Sequence, residues 1–95
     1  MSLKFGIIGA GHMAERMADT VRQMKQVELY AVASRTEEKA KAFAEKYGAK
    51  VHYGNYETLI QDEQVELIYI ATPNHLHYAQ ARACILAGKP VLLEK

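Results

Sequence analysis

The sequence predicts an α/β domain built as a doubly wound parallel sheet with helices on both faces. Three observations lead there. The strand-like runs are apolar throughout instead of alternating, which is the habit of strands buried on both faces. Helical segments of about a dozen residues separate them, long enough for right-handed crossovers between parallel neighbours. A Gly-x-Gly-x-x-Ala turn joins the first run to the first helical segment.

Phe5-Gly6-Ile7-Ile8-Gly9 is a short apolar run ending in glycine and reads as a buried strand. From His12 to Lys25 apolar residues recur at Met13, Met17, Val21 and Met24, the spacing of a helix that packs through its methionines. Val27 to Ala33 is a second strand. The next helix carries Ala40, Phe43, Ala44 and Tyr47; Thr36 can cap its start and Gly48 can stop it. Val51-His52-Tyr53 is a brief third strand. Asn55 can cap a short helix with Tyr56, Leu59 and Ile60, and Gln61 to Gln64 is a polar turn. Val65 to Ala71 is a fourth strand, Asn74 to Ala87 a helix stopped by Gly88, and Pro90 to Leu93 a last strand. Tyr53, Tyr56, Tyr69 and Tyr78 could contact a ligand, but packing between strands and helices is their default, and Cys84 is expected to be buried and inert. No repeat or linker interrupts the alternation, so residues 1–95 read as one domain.

Composition narrows the function classes. The chain is 49% hydrophobic and 24% charged, the balance of a soluble globular domain. Twelve basic against eleven acidic residues leave a formal charge of +1, with the basic residues scattered, so no nucleic-acid partner is expected. No apolar run approaches the ~20 residues of a membrane span, and the single cysteine cannot form an internal disulfide. The start, Met1-Ser2-Leu3-Lys4-Phe5, enters a strand without the features of a signal peptide. A reducing, cytoplasmic setting is the expectation. At 95 residues the chain has no room for a second, substrate-holding domain.

Gly9-Ala10-Gly11-His12-Met13-Ala14 matches the dinucleotide-binding turn, in the context of a strand before it and a helix after it. Gly9 allows the tight turn, Gly11 lets backbone approach a pyrophosphate without a Cβ in the way, and Ala14 keeps the helix close to the sheet. Ala10, His12 and Met13 complete the phosphate-side turn, His12 through its backbone with an exposed ring. About 20 residues on, an NAD-selective site would carry an acidic residue. Here Ser34-Arg35-Thr36 offers hydroxyls and a guanidinium instead, which suits the 2′-phosphate of NADP. Glu37 and Glu38 follow, and would repel that phosphate if turned towards it, so NAD stays the alternative. After the fourth strand, Ala71-Thr72-Pro73-Asn74 and His77 bring hydrogen-bonding groups to the carboxyl end of the sheet, where such folds bind ligands. His75 and His77 lie two apart and would point to different faces of a helix, with no Cys or carboxylate cluster beside them, so no metal is expected.

Gly9 to Ala14, Ala33-Ser34-Arg35, Ala71-Thr72-Pro73-Asn74-His75-Leu76-His77 and the run from Ala87 to Lys95 together resemble the amino-terminal half of the Gfo/Idh/MocA oxidoreductases. The resemblance covers the whole chain and implies a Rossmann fold that is incomplete without the rest of a parent chain. It implies that the region after the fourth strand borders the nicotinamide ribose, that Glu94 contacts that ribose, and that Lys95 is the catalytic lysine. An ammonium there can hydrogen-bond a substrate hydroxyl and ease its proton loss. The substrate class implied is a sugar, polyol or related diol. The resemblance further implies a second α/β domain with the substrate pocket, and a homo-oligomer at full length. Two alternatives to an enzyme fragment are a stand-alone dinucleotide-binding sensor and an α/β domain that serves only as a partner surface.

Overall fold

The computed structural model describes residues 3–72 and 74–93. Nine elements alternate: β1 (Leu3–Ile8), α1 (His12–Arg22), β2 (Val27–Ala33), α2 (Glu37–Tyr47), β3 (Val51–Tyr53), α3 (Tyr56–Gln61), β4 (Leu67–Ile70), α4 (Asn74–Leu86) and β5 (Val91–Leu93). Among the described residues the strands form one sheet in the order β3-β2-β1-β4-β5. Every pairing is parallel. The doubly wound α/β class is what the sequence predicts.

Side chains alternate between the two faces along each strand, except in β2. There an extra residue at Tyr30 shifts the register against β1 between Phe5 and Gly6 and so puts Leu29 and Val32 on one face. On one face Phe5 and Ile7 of β1, Leu29 and Val32 of β2 and Tyr69 of β4 pack under Ala14, Ala18 and Val21 of α1 and Phe43, Ala44 and Tyr47 of α2. On the other, Ile8, Ala31, Ala33, Ile68 and Ile70 pack with Leu59 and Ile60 of α3 and Cys84 of α4. Gly6 lies on this second face, where a Cβ would come within 3.0 Å of Val65 and 3.1 Å of Leu59, so α3 sits almost directly on β1.

The local stop and start signals act as their chemistry dictates. The Thr36 hydroxyl accepts from the Lys39 N–H at 3.3 Å and Asn55 Oδ1 accepts from the Thr58 N–H at 2.8 Å. Gly48 ends α2 with φ 83°, a left-handed backbone that favours glycine.

Two expectations are corrected. The first helix stops at Arg22, not Lys25: the Gln23 N–H turns back to Thr20 O in a tighter last turn, and the chain must reach β2 at Val27. Met24 therefore falls in the connector and is 49% exposed, not packed like Met17. Tyr78 on α4 is 78% exposed and does not pack as expected, because among the described residues no element covers that side of the helix. Smaller shifts affect strand ends: β4 spans Leu67–Ile70 within the predicted Val65 to Ala71, and β1 begins at Leu3 and ends before Gly9.

Candidate functional site

The chain direction of winding reverses between β1 and β4, since β2 and β3 lie to one side of β1 and β4 and β5 to the other. At such a point the loops leaving neighbouring strands diverge and open a crevice at the strands' carboxyl ends. Gly9 follows β1 there and Ala71 follows β4. Their backbones are close: a Cβ on Gly9 would lie 3.1 Å from Ala71 O and 3.2 Å from its carbonyl carbon. Gly9 has φ 110°, and its N–H bonds Ala33 O at 2.8 Å, so it links the ends of β1 and β2.

Gly11 differs from Gly9. Its φ of −88° is open to any residue, and among the described residues no atom lies within 4 Å of where its Cβ would stand. Neither strain nor packing inside the domain calls for glycine at 11. What remains is an open place at the mouth of α1. Gly11 is the N-cap of α1 and makes no side-chain cap, whereas α2 and α3 are capped by Thr36 and Asn55. The first N–H groups of α1 are thus left for an external acceptor, and the helix dipole favours an anionic one. Ala14, with no exposed surface, holds α1 against the sheet.

A cleft of about 500 Å³ runs from this turn to the end of β2. Its walls bring together Gly9, Ala10 and Gly11 with Ala71 and Thr72 and with Ser34 and Arg35. Lys39, Tyr56 and Glu15 also line it, as does the α2 flank at Ala42, Phe43, Lys46 and Tyr47. Among the described lining residues, three are cations, Arg35, Lys39 and Lys46, and one is a carboxylate, Glu15, which suits an anionic ligand. Burial pushes the Tyr56 phenol up in pKa, opposed by the nearby Arg35 cation. Ser34 is buried and its N–H donates to Tyr53 O at 3.1 Å, tying the end of β2 to β3.

The other expected site residues lie as follows. His12 is exposed, and Met13 packs in a shallow depression beside Arg16, Met17, Thr20 and Tyr69. Thr36 serves α2 as its cap. Thr72 is buried, and its hydroxyl donates to Gln80 Oε1 while its carbonyl oxygen meets His77 Nε2 at 2.5 Å. The hydroxyl and the carbonyl of Thr72 are thereby both held by α4, beside Ala71. Asn74 begins α4. Pro73, Glu94 and Lys95 lie outside the described residues.

The sequence singles out neither Lys39 nor Gln80; Tyr56, expected to pack by default with a ligand contact as the alternative, lines the cleft. Lys39 lies in the first turn of α2, two residues past Glu37, and its sequence position does not separate it from that helix's other charges. Gln80 carries no local signal either.

Residues 3–95 match the sequence model of an oxidoreductase family with an NAD-binding Rossmann fold. The trans-1,2-dihydrobenzene-1,2-diol dehydrogenase of Bos taurus is 39% identical over 97 residues, covering 100% of this chain and 29% of its own. The crystal structure of an NAD binding oxidoreductase from Klebsiella pneumoniae superposes with a TM-score of 0.94 at 40% identity, over 99% of this chain and 27% of that one. Levoglucosan dehydrogenase in complex with NADH superposes with a TM-score of 0.95 at 28% identity, over 100% of this chain and 28% of that one. The chain therefore spans less than a third of the length of these relatives. Among the described residues no helix is long and apolar enough to cross a membrane.

Proposed function

The chain belongs to the Gfo/Idh/MocA oxidoreductase family, and from that premise we propose that it is the cofactor-holding part of an enzyme that moves hydride between NADP, in preference to NAD, and a hydroxyl-bearing carbon. The observation that carries the reading is the single cleft in which the uncapped start of α1, open at Gly11, shares walls with Arg35 and Lys39. The turn Gly9-Ala10-Gly11 would hold the pyrophosphate by backbone N–H groups. Ser34, Arg35 and Lys39 would hold the 2′-phosphate, a hydroxyl and two cations where an NAD-selective site carries a carboxylate. Ala71 and Thr72 would bound the nicotinamide side, with Thr72 kept in place by Gln80 and His77.

When bound, the nicotinamide supplies the hydride acceptor or donor. The protein's share is to orient it and to manage the substrate's proton, which falls to Lys95 with Glu94 at the nicotinamide ribose. The proposed substrate class is a sugar, polyol or related diol, in keeping with the diol named for the bovine relative.

Calorimetric titration tests the cofactor assignment. The wild-type chain is expected to bind NADP at least about tenfold more tightly than NAD, ~1.4 kcal/mol, and Ser34→Asp to shift the preference towards NAD. Absence of heat with both nucleotides at millimolar concentration, from a folded sample, would sink the proposal. An unchanged preference in Ser34→Asp would show that the specificity loop is misassigned.

A further inference from the structure

Glu37 poses a problem for any 2′-phosphate held by Arg35. It is the first residue of α2, two positions after Arg35, and a carboxylate there is favoured by the helix dipole. Turned into the cleft, it would set an anion beside the phosphate. The structure turns it elsewhere. Arg35 and Lys39, on either side of it in sequence, line the cleft, and Glu37 does not. Its Oε1 lies instead against Nδ1 of His52 on β3. That nitrogen is shielded from solvent and, among the described residues, has no hydrogen-bond partner, so the Glu37 carboxylate set against it is the acceptor a small adjustment would bring into line.

The backbone around the pair is arranged to allow this contact. Gly54 follows β3, and a Cβ on it would come within 3.0 Å of the Glu37 N and 3.2 Å of its Cα and Cβ. A side chain at 54 would push the start of α2 off β3. One residue earlier, Tyr53 O accepts the Ser34 N–H. The short strand thus holds both ends of the specificity loop, Ser34 through Tyr53 and Glu37 through His52.

We propose that His52 is a positioning residue for nucleotide choice, holding the Glu37 carboxylate against β3 so that the cleft presents Arg35 and Lys39 to a 2′-phosphate without an opposing anion. The proposal rests on the NADP reading given above. The imidazole can donate from Nδ1 in its neutral tautomer as well as in its cation, so the contact does not require a charged ring. With His52 replaced by an apolar side chain, the freed carboxylate has two nearby cations to turn to, Arg35 before α2 and Lys39 in its first turn. It would then compete with the phosphate for them.

The test is calorimetric titration of the full chain with NADP and, separately, NAD, in wild type, His52→Val, His52→Gln, Glu37→Gln and the double variant His52→Val/Glu37→Gln. Valine keeps the strand preference of β3, and melting curves establish that each variant is folded. His52→Val is expected to weaken NADP binding roughly three- to tenfold, the scale of one partly screened like-charge contact, and to leave NAD binding unchanged. Glu37→Gln alone should change neither. The double variant should recover wild-type NADP binding, and His52→Gln, which keeps an N–H donor, should lose less than His52→Val. An NADP:NAD ratio unmoved by His52→Val overturns the proposal. So does a double variant that keeps the full loss, since His52 would then act by shaping β3 and not through Glu37. A wild type that binds NAD as tightly as NADP defeats the NADP reading instead, and the change in ratio between wild type and His52→Val still decides the role of His52.

Discussion

Alanine at Gly9 and alanine at Gly11 should have opposite consequences, although both replace a glycine of the same turn. At Gly9 the backbone has φ 110°, and the new methyl would stand 3.1 Å from Ala71 O. Holding a non-glycine residue in such a conformation costs about 1–3 kcal/mol. The contact adds to this, because Ala71 cannot retreat without loosening its N–H bond to Ile8 O, 2.9 Å long, at the end of the β1–β4 ladder. A total of about 2–4 kcal/mol is a large part of the roughly 5–14 kcal/mol expected for a domain of this size. At about 4–8 °C per kcal/mol it lowers the melting temperature by roughly 8–32 °C. At Gly11 neither cost arises. Alanine there gains about 0.4–1 kcal/mol from a stiffer unfolded chain and loses a similar amount as a poorer N-cap, so the melting temperature should stay within a few degrees of wild type. Its methyl, however, occupies the open place at the mouth of α1, and NADP affinity should fall at least about tenfold, ~1.4 kcal/mol. Thermal and urea unfolding followed by circular dichroism, with calorimetric titration of NADP, measure both quantities. A Gly11→Ala protein that melts as low as Gly9→Ala, or that stays stable and binds NADP like wild type, would refute this division of roles between the two glycines.

Two further outcomes follow from groups away from the cleft. The Tyr53 hydroxyl donates to Asp62 Oδ2 at 2.6 Å, and that bond, with burial, pushes the phenol up from 10.0 to about 12. The unfolded phenol ionises first, so the stabilisation is complete below about pH 10 and is lost as pH rises towards about 12. Solvent screening at this partly exposed site limits it to about 1 kcal/mol; Tyr53→Phe should be less stable near neutral pH by that amount and should decline less steeply between about pH 10 and 12, and parallel curves for the two proteins would dismiss the link. Cys84 has no exposed surface, and burial pushes its thiol pKa up. A thiol reagent should fail to label it until denaturant is added, and Cys84→Ser should cost about 1–3 kcal/mol for an enclosed hydroxyl. Prompt labelling of the native protein would contradict the packing of α4 on β4.

The sequence by itself determined whatever depends on near neighbours along the chain. Thr36 and Asn55 cap helices by bonds that reach three residues ahead, and Gly48 stops one by its own φ. The order of elements follows from apolar runs and helical spacing, and Gly9, Gly11 and Ala14 are set by the turn they occupy. Tertiary structure alone decided what depends on partners distant in sequence. The sequence marks Met24 and Tyr78 as packing residues, but only the fold shows that one falls in a connector and the other on an uncovered side. The closing of Thr72 on Gln80, the arrival of Tyr56 beside Arg35, and the turning of Glu37 onto His52 join residues from different elements. Caps and turns are satisfied within one chain segment, so they can be read locally. A cleft at the reversal of a parallel sheet is assembled from loops that meet only after every crossover has been made, and its charge and shape exist only then.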